Sequence, residues 1–266
     1  MYGKSGAEFP ERVVCLSAEH VETCYALGAG ARVVGVPGTA HRPPEARDKP
    51  KVGGFTTFRA DRILDLEPDL VLAFSDLQAE VSAELIRAGV PVFCTNQRSV
   101  YEILNTILMV GGLLGLESRA RELVQDIRDE ITQVREFSSV WPDRPRVYFE
   151  ESHDPLIAGI RWVSEITEIA GGRDIFPELR EMKRAPERVV DPDEVVRRDP
   201  QIILASWCGK PVDIGAIGNR PGWDGISAVK GGHVHELDGA DILSPGLSVL
   251  PGLRQIHEIV QGWIGA

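Results

Sequence analysis

Residues 117–137 contain neither glycine nor proline and divide the sequence into two halves. The turn-rich segment SSVWPDRP follows this stretch. Apolar residues recur at helical spacing between its charged residues, at Leu123, Val124, Ile127, Ile131 and Val134. This spacing predicts one amphipathic helix of about 20 residues, or about 30 Å. A single long helix in the middle of a 266-residue chain indicates two lobes joined by that helix.

Strand-like and helix-like runs alternate on both sides of the long helix. The strand-like runs cover residues 12–17, 32–38, 69–74, 91–95, 146–150, 201–205 and 232–237. Parallel strands need crossover helices, and this alternation supplies them. We therefore predict an α/β fold of two Rossmann-like lobes with mostly parallel sheets, at residues 10–115 and 145–266, joined by a helix at 116–138.

The two halves share a weak internal similarity. EPDLVLA at 67–73 and DPQIILA at 199–205 each follow a helix-like run and open a strand-like run, 132 positions apart. This pattern indicates a duplicated lobe. In parallel sheets ligands bind beyond the carboxyl ends of the strands. With two lobes, we expect those ends to face a common cleft.

Composition excludes several classes of partner. The net charge of −11 disfavours nucleic acid and anionic membrane surfaces. No run of about 18 apolar residues is present, so membrane insertion is not expected.

The first residues lack the apolar region of a signal peptide. We expect either a periplasmic or extracytoplasmic protein whose signal was removed, or a cytoplasmic one.

The four cysteines show no CxxC spacing, which favours reduced thiols over a disulfide or metal role and weakly favours a reducing compartment.

Several segments together resemble the solute-binding proteins of cobalamin and ferric-siderophore ABC importers. They are the opening strand with its Ser-x-x-x-x-Glu run, then YALGAG, VGV, PPEA, KVGGF and ILDLEPDLVLA within residues 10–115, and more loosely AGGRDIF (170–176) and residues 196–203. The resemblance implies two lobes joined by one rigid helix and a bulky cobalamin-, siderophore- or haem-like ligand in the cleft. It also implies that the protein binds this ligand without catalysing a reaction. It implies no required cofactor, although cobalamin or another corrinoid is a candidate ligand. It also implies an ABC permease as partner, and we expect a monomer.

Such proteins dock on their permease through one acidic residue on each lobe. In this sequence Asp76 or Glu80 corresponds to that residue on the first lobe, and Asp213 on the second. The alternative function is a cytoplasmic cofactor- or metal-binding relative without a permease partner.

The predicted strand ends carry the candidate ligand-binding residues. Aromatic rings bury much area, and a few polar groups fix orientation, which suits a large planar ligand. The candidates are Glu19, His20, Phe55, Phe58 and Phe74 in the first lobe and Glu150, Arg161, Trp162, Trp207 and Lys210 in the second. An alternative for Phe55 and Phe74 is that they cap the core.

Two of these positions have specific expected roles. Arg161 would bind a carboxylate, phosphate or amide of the ligand while a glutamate holds it. The alternative is a surface turn with an Arg161–Glu165 ion pair. In SWCGKP (206–211), Trp207 would stack on the ligand and Lys210 would pair with an anion, or the segment is an ordinary turn.

Metal and enzyme functions have weaker support. His233 and His235 alternate on one strand, and His20, His41 and His153 follow other strands, but we predict no metal site. No Gly-rich phosphate loop is present, and no base accompanies Cys208 as a nucleophile. We therefore predict that the protein is not an enzyme.

Overall fold

The computed structural model describes residues 8–265, and their contacts divide the chain into two compact units. The first unit comprises residues 8–97 and Tyr101–Asp126. The second comprises Arg98–Val100 and 127–265. Each unit is an α/β lobe with a mostly parallel sheet, which confirms the predicted fold class.

The first unit contains a sheet of four parallel strands in the order β2-β1-β3-β4. The strands are β1 (Val13–Cys15), β2 (Val33–Gly35), β3 (Leu70–Phe74) and β4 (Val92–Thr95). The helices around them are α1 (Ala18–Ala26), α2 (Ala60–Leu64), α3 (Ala79–Arg87) and α4 (Val100–Leu113). All of β3 is buried, as expected for a central strand covered on both faces.

Alternation along β1 directs side chains to two separate cores. Val13 and Cys15 pack in a cluster with residues of α1, whereas Val14 and Leu16 pack with Ile63 of α2 on the opposite face. Successive side chains of a strand point to opposite faces, so this short apolar strand contributes to both layers.

The second unit contains a five-stranded sheet with the path β6-β5-β8-β9, and β7 also pairs with β5. The strands are β5 (Arg146–His153), β6 (Leu156–Ala158), β7 (Arg173–Asp174), β8 (Ile202–Ala205) and β9 (Val234–Glu236). Only the β5–β6 pair is antiparallel among the strands described. The helices are α6 (Arg161–Ile169), α7 (Pro192–Arg198), α8 (Ile214–Gly218), α9 (Ser227–Gly231), α10 (Gly239–Ile242) and α11 (Val249–Ile264).

The long helix α5 (Glu117–Ser139) has 23 residues and matches the prediction from the glycine-free stretch. Val124, Ile127 and Ile131 are buried, as their spacing predicted. The boundary between the two units falls inside this helix, after Asp126.

The proline-rich segment 41–55 contains a 3₁₀ helix at Pro44–Asp48. In the same segment, Lys51 forms an isolated parallel β-bridge with Val36. Proline at the start of a helical turn costs no hydrogen bond, so a proline-rich segment can still form one. The other 3₁₀ helices are Gly30–Arg32, Asp76–Gln78, Pro177–Leu179, Ala185–Arg188 and Trp223–Gly225. Within the described residues, no helix combines the length and apolar character needed to cross a membrane.

The internal similarity of the two halves has a structural counterpart. Glu67 and Asp199 both adopt left-handed backbone conformations, with φ of 46° and 44°. In each unit an arginine beside the first strand donates to the carbonyl of that residue and of the residue before it. Arg12 contacts the carbonyl oxygens of Leu66 and Glu67. Arg146 contacts those of Arg198 and Asp199 in the same way.

Candidate functional site

The carboxyl ends of β1 and β4 in the first unit are joined by His20. Its Nδ1 lies 2.8 Å from Ser17 Oγ, and its Nε2 lies 3.1 Å from Thr95 Oγ1. His20 is buried, and burial lowers its pKa to about 4. The imidazole is therefore neutral at neutral pH and holds the two strand ends together.

Gln78 performs a similar role at β3, and the sequence analysis missed it. Its Oε1 accepts the backbone N–H of Phe74 at 2.9 Å. Its Nε2 donates to the carbonyl oxygens of Leu16, at 2.9 Å, and Phe55, at 3.2 Å. One buried amide thus links the ends of β1 and β3 to the loop that carries Phe55. The only local signal was a polar residue four positions after a buried strand.

The predicted aromatic residues of the first unit differ in exposure. The side chain of Phe55 is 43% exposed, whereas Phe74 is 4% exposed. Phe58 is partly buried and packs against the core beside α2. Glu19 is buried at the start of α1. Phe55 is therefore the predicted ligand residue of this unit with the most accessible ring, whereas the ring of Phe74 is buried.

A cavity of about 780 Å³ also lies in the first unit, along α1 and the Pro44–Asp48 helix. Glu22, Tyr25, Arg42 and Glu45 are among its lining residues. None of the predicted ligand residues lines it, so this cavity and the strand ends are separate features of the unit.

Glu150 lies within β5 in the second unit, paired with Ala205 at the carboxyl end of β8, and has no exposed surface. Arg220 donates to both of its carboxylate oxygens, at 2.6 and 2.8 Å. The indole N–H of Trp207 donates to the same carboxylate at 2.8 Å. The guanidinium of Arg220 also lies over the ring of Trp223, 4.5 Å from its centroid. A buried carboxylate that already accepts three hydrogen bonds and pairs with an arginine is a positioning group.

The structure therefore brings Glu150 and Trp207 together, as two predicted site residues, and adds Arg220, which the sequence analysis missed. Arg220 is 70 positions from Glu150, and no local pattern connects them. The outer ring face of Trp207 is covered by His153, at 4.4 Å between ring centroids. Trp207 is 8% exposed, so little of its ring is available for stacking.

Glu151, the next residue of β5, points to a different partner. Arg188 donates to its two carboxylate oxygens at 2.6 and 3.2 Å, and it also contacts the carbonyl of Ala158. Arg188 is buried. The strand β5 therefore carries two arginine–glutamate pairs, Arg220–Glu150 and Arg188–Glu151. The sequence analysis did not identify Arg188.

Arg161 is the first residue of α6 and so can reach Glu165 one turn later. It donates to Glu165 at 2.8 Å and to Glu181 at 2.9 Å. Glu165 also accepts the backbone N–H of Val100, which belongs to the second unit. The surface ion pair that the sequence analysis left open is present, and the guanidinium remains about one-third exposed.

Trp162 is the predicted site residue that the structure supports least. It is 3% exposed, and its indole N–H donates to the carbonyl of Ile242 at 2.9 Å. The helix turns this ring into the core and Arg161 toward solvent.

Lys210, by contrast, is exposed and closes a turn through its backbone N–H to Trp207, with Gly209 at φ 72°.

The predicted docking acids are all exposed. Asp76 and Glu80 lie on the Asp76–Gln78 turn and at the start of α3. Asp213 caps α8 by accepting the backbone N–H of Ala216 at 2.9 Å. Each leaves a carboxylate at the surface of its own unit.

Cys94 lies at the surface, although the sequence analysis placed it in an apolar strand run. Within residues 8–265, no group of three or more His, Cys, Asp and Glu side chains is arranged to hold a metal ion.

Comparison with known proteins identifies the relatives of this chain. The family described as periplasmic binding protein matches residues 13–240. The vitamin B12-binding protein of Vibrio parahaemolyticus is 26% identical over 252 residues, covering 93% of this chain and 88% of the relative. An ABC transporter substrate-binding lipoprotein of Bacillus subtilis is 28% identical over 266 residues, covering 94% and 80%.

A solved structure shares the fold. The apo periplasmic heme-binding protein of Roseiflexus has a TM-score of 0.83 and 24% identity, covering 96% of this chain and 99% of its own.

Proposed function

Because the chain belongs to the periplasmic binding protein family, we propose that it binds a corrinoid of the vitamin B12 type and delivers it to an ABC permease. The family is one of non-enzymatic transport proteins, and we further propose that the ligand leaves the protein chemically unchanged. The observation that carries the proposal is the near full-length similarity to a relative named for vitamin B12. The lipoprotein name of the second relative supports a location outside the cytoplasm.

The chemistry at the strand ends is consistent with such a ligand. A corrinoid has a wide apolar face surrounded by amide groups. Phe55 offers an accessible ring, and its backbone is held in place by Gln78. Lys210 is exposed and Arg161 is about one-third exposed, and both are cations that can donate to carbonyl oxygens at the ligand rim. We assign direct contact to these three residues and positioning roles to Glu19, His20, Phe74, Glu150 and Trp162.

We assign Phe58 and Trp207 a role intermediate between direct contact and positioning. Each is partly covered by neighbouring side chains, so we expect them to support the ligand surface more than to form it. For the permease contact we propose Asp76 or Glu80 on the first unit and Asp213 on the second, because exposed carboxylates suit a basic partner surface.

The test is a calorimetric and absorbance titration of the purified protein with cyanocobalamin, dicyanocobinamide and haemin. We expect the two corrinoids to bind and to be recovered unchanged, as judged by mass spectrometry. Phe55→Ala is expected to weaken corrinoid binding by about 1–3 kcal/mol. Phe137→Ala is the matched control, because Phe137 is a similarly exposed phenylalanine on α5.

Binding of haemin alone would change the ligand class while leaving a transport role intact. Binding of a bare divalent metal with none of the three compounds would overturn the proposal. Equal losses in Phe55→Ala and Phe137→Ala would remove Phe55 from the site.

A further inference from the structure

Two of the four cysteines contact each other inside the first unit. The Sγ atoms of Cys15 and Cys24 are 4.0 Å apart, and neither residue has exposed surface. Both belong to one core cluster with Val21 and Leu27. The other cysteines, Cys94 in the first unit and Cys208 in the second, are both at the surface.

The pair arises from the crossover between β1 and α1. Cys15 is the last residue of β1 and points to the face that α1 covers. Val21 and Cys24 in α1 and Leu27 directly after it follow at intervals of three residues, which places them on one side of the helix. No CxxC spacing is needed, because the tertiary fold brings the two sulfurs into contact.

We propose that Cys15 and Cys24 form a disulfide when the chain folds in the presence of a disulfide oxidant. A disulfide bond is about 2.05 Å long, so the two sulfurs must approach by about 2 Å for the bond to form. One thiolate attacks the oxidant's disulfide and releases one oxidant thiolate, and the second thiolate then attacks the protein sulfur of the mixed disulfide and releases the other. The two thiols lose two protons and two electrons, one S–S bond forms, and the oxidant is reduced to two thiols.

Burial decides when the bond can form and how long it lasts. The contact with Cys24 and burial both raise the pKa of the Cys15 thiol, so the folded protein contains little of the reactive thiolate. Reaction therefore occurs during folding, before α1 closes over β1. The completed bond is then protected from reductants, because neither sulfur is accessible.

The cross-link would close the segment 15–24, which includes Ser17, Glu19 and His20. It would attach the C-terminal half of α1 to β1 inside the core. His20, which shares hydrogen bonds with the hydroxyls of Ser17 and Thr95, lies within this cross-linked segment. We expect the oxidised protein to have a thermal midpoint several degrees above that of the reduced protein.

The experiment refolds the reduced full-length chain in a buffer of reduced and oxidised glutathione, followed by iodoacetamide and mass spectrometry under non-reducing conditions. Cleavage after arginine gives one peptide, residues 13–32, that contains both Cys15 and Cys24. We expect this peptide to be about 2 Da lighter than its reduced form and to carry no alkyl group. Cys94 and Cys208 are expected to be alkylated.

The variant with Cys94→Ser and Cys208→Ser is expected to form the same cross-link, and Cys24→Ala to form none. Alkylation of both cysteines in peptide 13–32, glutathione on either, or a bond from either to Cys94 or Cys208 would overturn the proposal. If Cys24→Ala fails to fold, the wild-type peptide still decides the question.

Discussion

The buried pair of Glu150 and Arg220 gives a prediction whose size can be worked out from its contacts. We consider Glu150→Gln, which keeps the shape of the side chain and removes its charge. The retained oxygen can still accept from Trp207 and from one nitrogen of Arg220. The other oxygen, which accepts from Arg220 at 2.6 Å, becomes an NH₂ group that faces a donor.

The variant therefore loses one charge-assisted hydrogen bond and leaves a cation without its counter-ion. Breaking a buried ion pair by removing one partner costs about 3–5 kcal/mol. The side chain of Arg220 is 18% exposed, so water recovers part of this cost. We expect the free energy of unfolding of the second unit to fall by about 3 kcal/mol, the low end of that range.

Tryptophan fluorescence reports the unfolding of the second unit alone. The chain has five tryptophans, and all of them follow residue 140, within the second unit. Urea unfolding followed by this fluorescence therefore reports the second unit, while far-UV circular dichroism reports both. We expect the fluorescence midpoint to fall with an unchanged denaturant slope.

Glu187→Gln is the matched control, because Glu187 pairs with Arg184 at the surface of the same unit. No measurable change is expected there. Adding Arg220→Met to Glu150→Gln should restore part of the lost stability, since it removes the unpaired cation. A loss below about 1 kcal/mol for Glu150→Gln, or no recovery in the double variant, would refute the assignment of Arg220 as a buried counter-ion.

Three further outcomes are expected. The pKa of His20 is about 4 in the folded protein against 6.5 for an ordinary histidine, so stability of the first unit should fall by about 3 kcal/mol as the pH drops from 6.5 to below 4. His20→Asn should flatten that dependence in circular-dichroism unfolding curves; an unchanged slope would contradict it. Glu67→Gly should stabilise the protein by about 0.5–1 kcal/mol, because glycine adopts φ 46° freely. Asp199→Gly should destabilise it, because the lost carboxylate accepts three hydrogen bonds; the same sign in both variants would be inconsistent with these roles. Arg161→Ala should weaken binding of an anionic ligand more than of a neutral one in calorimetry, with Arg184→Ala as control, and equal losses would argue against charge pairing.

The regular elements could be predicted from the sequence because their signals are local. The β-branched runs at 12–17 and 69–74 and the glycine-free stretch at 117–137 correspond to β1, β3 and α5. The short strands β6 and β7 were missed, because two or three residues between turn formers show no period. Pairing with β5 makes them strands, and that pairing depends on the tertiary fold.

The candidate site was harder to predict for the same reason. Strand ends can be located from the sequence, but the direction of each side chain beyond them depends on distant partners. Glu150 is buried because Arg220 and Trp207 reach it from 70 and 57 positions away. Trp162 and Arg161 are adjacent, yet Trp162 is buried with its indole N–H on a carbonyl 80 positions away, whereas Arg161 is partly exposed.

The position of the boundary inside α5 limits how the two lobes can be separated. Of its 23 residues, 10 lie in the first unit (117–126) and 13 in the second (127–139). Helical segments shorter than about 12–15 residues are marginal on their own in water. A gene cut after Asp126 would thus leave each product with a fraying stub and with Val124 or Ile131 uncovered. Fragments and chimaeras should instead retain the full helix and join partners in the turn that follows Ser139.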